Sequence, residues 1–319
     1  MKRAGIILIV IFLFMTFYVW FYSAPQSGTD LGRFVVPLGT QTSDIPRLLV
    51  SEGFIRHRWG LYLAEALYGF KTIKPGGYKI STSMNVFEIA SILFKDPYMK
   101  WIVIPEGLRK EEVRDILGDQ LKWGDVQKKE WMDSASKNLD YFEGVYFPDT
   151  YLIPIAETPS EIAKRFQTKF QEVFAAYAKE ALRQNIKWTT VVTIASLIQR
   201  EAARKDDMSM IAGVIWNRLL KGMNLQIDAT VQYARGKTEK GWWAPIAPED
   251  KKIDSPYNTY MYKGLPPHPI ASPGLFAIEA ALHPVKTDCL YYLHDARKQI
   301  HCSKTYKEHR ENIKKYLGS

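Results

Sequence analysis

An uninterrupted apolar run near the start of the chain predicts a membrane-spanning helix. Residues 4–22 contain no charged side chain, and as a helix they would extend about 28 Å, close to the thickness of a bilayer's hydrocarbon core. A cleaved signal peptide would have a shorter apolar region and small residues before the cut, whereas Tyr22 stands at the −3 position for cleavage after Ala24. We therefore expect a retained anchor. Basic residues in the segment 1–3 predict a cytoplasmic tail, with the bulk of the chain in the periplasm or another extracytoplasmic space.

Short alternating segments follow a polar linker at 23–33 and predict a small α+β module over residues 34–100. The patterns run strand, helix, helix, strand, helix, and glycines at 53 and 69 end the first two helix patterns. This order resembles a LysM-like glycan-binding module with one additional helix. Other small α+β units share the order, so the resemblance rests on topology alone.

The remaining pattern predicts a connecting region at 101–140 and a larger α+β domain at 141–319. The connecting region reads as a buried strand, a Pro-Glu-Gly turn, an amphipathic helix and a connector near 134–139. Long helix patterns then lie near 159–184, 189–203 and 207–221. Beyond Gly222 the pattern predicts mostly short strands and Pro/Gly loops. The predicted fold class is thus α+β: an N-terminal transmembrane helix, a small module and a larger domain.

One carboxylate interrupts the apolar stripe of the helix predicted at 189–203. The stripe consists of Val191, Ile194, Leu197 and Ile198. Glu201 lies three residues after Ile198 and four after Leu197, so it points out of the same face. Loss of hydration there would raise its pKa, which is what a general acid near neutral pH needs. The alternative is a glutamate at the helix end that faces solvent or pairs with Arg204.

Two further pairs of polar residues stand on otherwise apolar segments. Asn217 and Arg218 are adjacent on the helix pattern at 207–221. Gln226 and Asp228 alternate with leucine and isoleucine, so both would face one side of a strand. We take all four as candidate substrate-binding residues, and Asp228 is also the weaker candidate for a second catalytic carboxylate.

A proline-rich loop at 255–274 combines aromatic rings with an amide. Its candidate binding residues are Tyr257, Asn258 and Tyr260. Rigid loops of this kind suit sugar recognition, since apolar sugar faces stack on rings and hydroxyls pair with planar amides. Ordinary packing is the alternative for each of these residues taken singly.

The two cysteines, Cys289 and Cys302, flank a polar turn at 295–298. Folding about that turn would bring them opposite each other across a hairpin, and outside the membrane they could be oxidised. A zinc site would recruit His294 and His301, but the spacing of paired metal ligands is missing. We therefore expect a disulfide and no metal.

Composition narrows the class of partner. The chain has 319 residues with 46% hydrophobic content, which excludes a largely disordered protein, and its formal charge of +9 suits anionic partners. The basic residues are spread along the sequence and no nucleic-acid-binding motif is present. We therefore expect a solvated basic surface and no nucleic-acid partner.

Five segments between Phe142 and about Leu293 resemble one protein family. They are FEGVYFPDTY, ASLIQREA, GVIWNRLLKGMNLQIDATVQY, SPYNTYMYKGLPPHPIASPG and ALHPVKTDCLYYL. In this order they resemble the YceG family of endolytic murein transglycosylases, the MltG type. The predicted anchor and the LysM-like module fit the same family, so the resemblance covers nearly the whole chain.

The chain departs from the family pattern at three places. The family typically has Glu-Lys-Glu where this chain has Gln199-Arg200-Glu201. Only the second acid remains, and the stripe geometry favours that one. The family also often has proline where Ala229 stands and an aromatic residue near Cys302.

The resemblance implies non-hydrolytic cleavage of the β-1,4 bond between N-acetylmuramic acid and N-acetylglucosamine in nascent peptidoglycan, leaving a 1,6-anhydro end and terminating strand elongation. Glu201 would protonate the glycosidic oxygen and then act as base on the C6 hydroxyl of the same muramoyl unit, with no cofactor. The implied partners are glycan strands, the membrane and cell-wall synthesis enzymes. Two alternatives stay open: a lysozyme-type muramidase in which Asp228 handles water, and a non-catalytic peptidoglycan-binding scaffold.

Overall fold

The computed structural model describes residues 2–28, 30–69, 71–136 and 143–318. Met1 of the predicted tail, residues 137–140 of the predicted connecting region and residues 141–142 of the predicted larger domain lie outside the described residues. The chain forms two compact units, one of residues 1–102 with 150–157 and the other of residues 103–149 with 158–319. Helices and strands occur in both units, as the predicted α+β class requires.

The described residues of the first unit form a four-stranded sheet and four α-helices. Its elements are α1 (Lys2–Tyr22), β1 (Gly32–Val36), α2 (Ile45–Ser51), α3 (Arg58–Tyr68), β2 (Gly76–Ile80), α4 (Val86–Leu93), β3 (Met99–Val103) and β4 (Thr150–Pro154). The strand order is β1-β2-β3-β4, and β2 is antiparallel to both β1 and β3. Phe34 on β1 lies opposite Tyr78 on β2, and both are buried in the core of this unit. Asn85 caps α4 by accepting hydrogen bonds from two backbone N–H groups.

Two sequence predictions for this unit need comment. Residues 150–157 belong here, because β4 completes the sheet, although the sequence pattern assigns them to the larger domain. Within the described residues, no helix reaches both the length and the hydropathy that a bilayer crossing demands. The anchor at 4–22 therefore stays a prediction.

The second unit is mainly helical. Its elements are α5 (Lys110–Leu121), α6 (Asp125–Ser136), α7 (Pro159–Arg183), α8 (Trp188–Glu201), α9 (Met208–Leu220), α10 (Asp228–Arg235), α11 (Leu275–Leu282), β5 (Tyr291–His294), β6 (Ile300–Ser303) and α12 (Tyr306–Leu317). Helix α8 is its centre and contacts α7, α9, α10 and α11. Every residue of α8 from Val191 to Ile198 is buried, so the buried surface of this helix is wider than the predicted stripe.

Beyond Gly222 the predicted Pro/Gly loops are present, but the prediction that short strands fill the rest of this region is wrong. Three helices, α10, α11 and α12, occupy much of this region, and β5 and β6 are its only strands among the described residues. Gln226 has a φ of 52°, in the left-handed region, and Asp228 already begins α10. The predicted strand carrying both residues is therefore absent from this described segment, since a left-handed residue breaks an extended backbone.

The predicted hairpin near the two cysteines is confirmed, although the cysteines do not lie directly opposite each other across it. Strands β5 and β6 pair in antiparallel register, with Tyr292 opposite Cys302. Cys289 and Cys302 form a disulfide, as expected, and their Cα atoms lie 5.8 Å apart, within the range of about 4.4–6.8 Å usual for disulfides. The disulfide therefore joins β6 to the segment just before β5.

Candidate active site

Glu201 is the last residue of α8 and opens onto a pocket of about 250 Å³. The pocket is lined by Glu201, Arg218, Leu225, Gln226, Ile227, Tyr260, Tyr291, Tyr292, Tyr306 and His309. Helix α8 ends here because Ala202 adopts an extended conformation. The carboxylate thus continues the buried stripe of the helix to the point where the core gives way to a cavity.

Two donors hold the Glu201 carboxylate. The Tyr292 hydroxyl donates a hydrogen bond to Oε2 at 2.7 Å, and the backbone N–H of Ala229 donates another. Burial nevertheless raises the pKa of Glu201, and the nearby charge of Asp228 raises it further, while the two hydrogen bonds and Arg200 lower it. The net rise, caused mainly by burial, is the predicted one. Arg204, the predicted alternative partner, donates instead to the backbone carbonyl of Arg297.

Tyr292 acts as a fixed donor toward Glu201. Burial and the adjacent carboxylate raise the pKa of the Tyr292 hydroxyl well above its usual value, so it keeps its proton. The hydroxyl can therefore stabilise the ionised form of Glu201 without giving up its own proton.

A second carboxylate faces the same area. Asp228 is exposed at the start of α10, and its Oδ1 accepts a hydrogen bond from the Tyr260 hydroxyl at 2.5 Å. Burial, followed by this contact with Asp228, raises the pKa of Tyr260. Asp228 therefore contributes negative charge near Glu201, and Tyr260 holds its orientation.

Arg218 braces the wall of the pocket. Its Nε donates to the carbonyl of Leu290 at 2.6 Å, and its Nη1 donates to the carbonyl of Leu225 at 2.5 Å. Its guanidinium carbon lies 5.0 Å from the centre of the Tyr291 ring. Arg218 thus ties α9 to the segments before β5 and α10. Burial lowers the pKa of this guanidinium.

Gln226 lines the pocket and has an unusual backbone conformation. It is an exposed residue that lines the pocket, and its left-handed conformation is held by a backbone hydrogen bond from its N–H to the carbonyl of Thr259. Non-glycine residues adopt this conformation at an energetic cost and often do so at functional positions. Four predicted binding residues, namely Arg218, Gln226, Asp228 and Tyr260, therefore lie at or beside the pocket.

The other three predicted binding residues lie elsewhere. The Asn217 amide donates to the backbone carbonyls of Thr287 and Cys289, and the residue lines a separate cavity of about 600 Å³. Asn258 is buried, donates to two loop carbonyls and accepts from the N–H of Tyr260, so it shapes the loop. The Tyr257 ring packs against Tyr233, with 4.7 Å between ring centres.

Sequence reasoning missed Tyr291, Tyr292, Tyr306 and His309. Both β5 tyrosines stand in the CLYYL motif, which drew attention through the cysteines and the family resemblance and not through the tyrosines. The hairpin puts one of them on Glu201, and no local pattern reports that contact. Tyr306 and His309 lie on α12, in a region expected to be strands and loops.

A partly buried carboxylic acid that opens onto an aromatic pocket is the arrangement of enzymes that cleave glycosidic bonds by general acid catalysis. The profile of the YceG-like family matches residues 34–315. The chain therefore belongs to the YceG-like family.

Similar proteins are found among bacterial enzymes and solved structures. A Bacillus subtilis (strain 168) protein named endolytic murein transglycosylase is 32% identical over 307 residues, covering 89% of this chain and 84% of that protein. A protein of the same name from Streptococcus pneumoniae serotype 2 is 27% identical, covering 89% of this chain and 58% of that longer protein. A crystal structure of a yceG-like protein from Listeria monocytogenes matches with a TM-score of 0.60 and 29% identity, covering 89% of this chain and 99% of that one.

Proposed function

We propose that this protein is an endolytic lytic transglycosylase that cleaves the β-1,4 bond between N-acetylmuramic acid and N-acetylglucosamine in nascent peptidoglycan. The observation that carries the proposal is Glu201, a carboxylic acid with a raised pKa that lines a pocket. The names of the Bacillus and Streptococcus relatives supply the substrate class. Termination of glycan strand elongation is the proposed outcome of cutting such strands.

The proposed reaction uses one carboxyl group twice. Protonated Glu201 gives its proton to the glycosidic oxygen, and the bond from that oxygen to C1 of the muramoyl unit breaks. The Glu201 carboxylate then removes the proton from the C6 hydroxyl, whose oxygen attacks C1 and closes the 1,6-anhydro ring. The nucleophile belongs to the substrate, so this route needs neither a second carboxylate nor water. This distinguishes it from the usual pair of glycosidase carboxylates.

The neighbours of Glu201 fit this double role. Burial favours the protonated acid of the first step, and the Tyr292 hydroxyl and the Ala229 N–H stabilise the carboxylate that the step creates. Positive charge develops on the sugar in the transition state. Asp228, held by Tyr260, supplies a negative charge close to the pocket, which stabilises that positive charge.

Mass spectrometry of glycan strands digested by the purified protein tests the reaction. The expected products end in 1,6-anhydro-muramoyl residues, which are lighter by one water than hydrolysis products. Free reducing ends would make the protein a muramidase. Intact strands that nevertheless bind the protein would make it a scaffold.

We also propose that residues 34–100 act as a LysM-like module that binds glycan weakly. An exposed aromatic face on α3 supports this, since Trp59 is 61% exposed, has its ring centre 5.7 Å from that of Tyr62 and lies beneath the guanidinium of Arg58. Such a surface can stack on sugar rings. Trp59→Ala should weaken binding to purified cell wall, whereas Leu182→Ala, which removes an exposed apolar side chain of α7, should not. Equal binding by both variants would contradict the proposal.

We further propose that residues 4–22 anchor the chain in the membrane, with the N-terminus in the cytoplasm and the rest outside it. Apolar side chains of α1 support this, because Leu8 and Phe14 are 67% and 69% exposed and would gain from lipid contact. An anchor would hold the enzyme close to cell-wall synthesis enzymes, its expected partners. Cell fractionation should find the protein in membranes, and a soluble form starting near residue 25 would contradict the proposal.

A further inference from the structure

One wall of the Glu201 pocket has no part in the mechanism above. It consists of Tyr291 on β5 and of Tyr306 and His309 on α12. The Tyr291 and His309 rings stack with 5.3 Å between centres and 23° between planes. The Tyr306 ring centre lies 5.9 Å from that of Tyr291 and 6.5 Å from that of His309. We call these three residues the aromatic shelf.

The outer part of the shelf is open to a ligand. Tyr306 is 61% exposed although it lines the pocket, while the Tyr291 and His309 rings are only partly covered. Each aromatic ring has an apolar face whose removal from water is favourable. The stacking between Tyr291 and His309, together with the Arg218 guanidinium beside Tyr291, keeps the shelf in place before any ligand binds. Such preorganisation lowers the entropic cost of binding.

His309 adds a polar group to this surface. Its Nδ1 is buried without a hydrogen-bond partner among the described residues. Burial and the nearby Arg218 lower the pKa of His309, so the ring is neutral near neutral pH and carries one proton. We assign that proton to Nε2, since a buried N–H without an acceptor is the rarer and costlier arrangement. Nε2 is then the ring nitrogen that has a proton to donate.

We propose that the aromatic shelf is a saccharide subsite next to Glu201, in which Tyr306 and His309 stack against an N-acetylhexosamine ring and His309 Nε2–H donates to one of its oxygens. The identity of the sugar rests on the proposed function, whereas the shelf itself rests on its own geometry. The subsite would fix the position of the glycan strand, so that the bond to be cleaved lies at Glu201.

Binding measured without cleavage tests the subsite. The probe is a purified tetrasaccharide of alternating N-acetylglucosamine and N-acetylmuramic acid, titrated by calorimetry into the full chain carrying Glu201→Gln. Adding Tyr306→Ala should raise Kd about 10-fold or more, as for an aromatic side chain that becomes buried when the ligand binds. Adding His309→Phe, which keeps the stacked ring but removes the donor, should raise Kd about 3- to 10-fold, the usual value of one hydrogen bond. His309→Gln, which keeps a donor near Nε2, should restore part of this loss.

The matched control is His283→Ala. His283 is an exposed histidine of the same unit that pairs with Glu180 at 3.0 Å and does not line the pocket. It should leave Kd unchanged. Thermal melts verify that each variant folds, and Tyr306→Ala remains informative if the His309 variants do not, because Tyr306 is exposed.

The outcomes separate the subsite from the proposed function. Unchanged Kd in Tyr306→Ala and His309→Phe overturns the subsite, even if Glu201→Gln abolishes cleavage. Weaker binding in both variants supports the subsite, even if the wild type cleaves no glycan strand and the proposed function fails. Weaker binding in Tyr306→Ala with unchanged binding in His309→Phe overturns the assignment of His309 as a donor.

Discussion

Glu143 is a buried carboxylate and Glu201 a partly buried one of the same unit, and burial raises the pKa of both. Their surroundings differ. Glu143 is 1% exposed and accepts hydrogen bonds from the backbone N–H groups of Lys110 and Gly144 and from the Tyr233 hydroxyl. The Lys110 ammonium lies 4.0 Å from its Oε2. Glu143 is thus enclosed by donors that belong to the fold.

Glu201 has fewer fixed partners and an open side. Tyr292 and the Ala229 N–H hold it, and the pocket gives access to the carboxylate. A raised pKa is therefore insufficient to identify a catalytic acid in this molecule. What separates the two residues is access to substrate, so Glu143 should matter for stability and Glu201 for chemistry.

Replacing Glu201 by glutamine is the strongest test of this comparison. The change keeps the shape of the side chain but removes the transferable proton, and general acid–base catalysis is worth about 10²–10⁴-fold, or roughly 3–5 kcal/mol. Because the same group acts twice, release of anhydro-muropeptides should fall by about 10⁴-fold or more, while the melting temperature stays near that of the wild type.

Gln199→Ala is the control for that variant. Gln199 precedes Glu201 on α8, but its Oε1 accepts from the N–H of Gly274 and the residue does not line the pocket. Its loss should therefore reduce activity much less. If folded Glu201→Gln cleaves as well as wild type, the assignment is wrong and Asp228 is the next residue to replace.

Replacing Glu143 by alanine should give the opposite result. Three donors and the Lys110 ammonium would lose their acceptor in a buried position, which should lower the free energy of unfolding by about 3–5 kcal/mol. Denaturant unfolding measures the change, with the exposed Glu239→Ala as control. A Glu143→Ala variant of normal stability but without activity would show that access does not distinguish the two carboxylates.

The sequence predicts the position of Glu201 because that position depends on a local pattern within one helix. Helical periodicity places Glu201 on the buried face of α8, and the position of the helix follows from the same pattern. Adjacent polar residues were less informative. Asn217 and Arg218 are adjacent in sequence and both bind backbone carbonyls, yet only Arg218 lines the pocket of Glu201. Only the fold decides which polar group meets a ligand.

The rest of the site depends on contacts between distant segments. Tyr292 reaches Glu201 from 91 residues away through the β5–β6 hairpin. Glu143 joins α5 to α10, because it binds Lys110, 33 residues away, and Tyr233, 90 residues away. Likewise, β4 joins a sheet whose third strand ends 47 residues earlier, at Val103. Periodicity within one segment cannot report such pairings. The binding and catalytic roles of the predicted residues stay predictions.

The disulfide lies near only one of the two carboxylates, because Cys302 is opposite Tyr292, the hydrogen-bond donor to Glu201. Cys302 lies opposite Tyr292, and the bond to Cys289 closes a loop with a sequence separation of 13. Replacing both cysteines by serine should lower the free energy of unfolding by about 3 kcal/mol. Thermal melts with and without reductant measure this. The wild type should be sensitive to reductant and the double variant insensitive, and equal sensitivity would show that the hairpin does not depend on the bond.

Tyr292→Phe should have the smallest effect, and its direction is the informative part. The Tyr292 hydrogen bond favours the ionised form of Glu201 and so opposes the rise in pKa that burial causes. Without it, the pKa of Glu201 should rise further. Glu201 acts first as an acid, so activity is lost as the pH rises through this pKa, and the alkaline limb of the profile should move to higher pH.

Loss of a hydrogen bond to a charged group should also lower kcat/KM about 10-fold. The measurement is kcat/KM against pH, with Tyr262→Phe as control because the Tyr262 hydroxyl binds Asp254. An alkaline limb that stays in place or moves to lower pH would mean that Tyr292 does not govern the proton on Glu201, and that enclosure alone sets the pKa of both carboxylates.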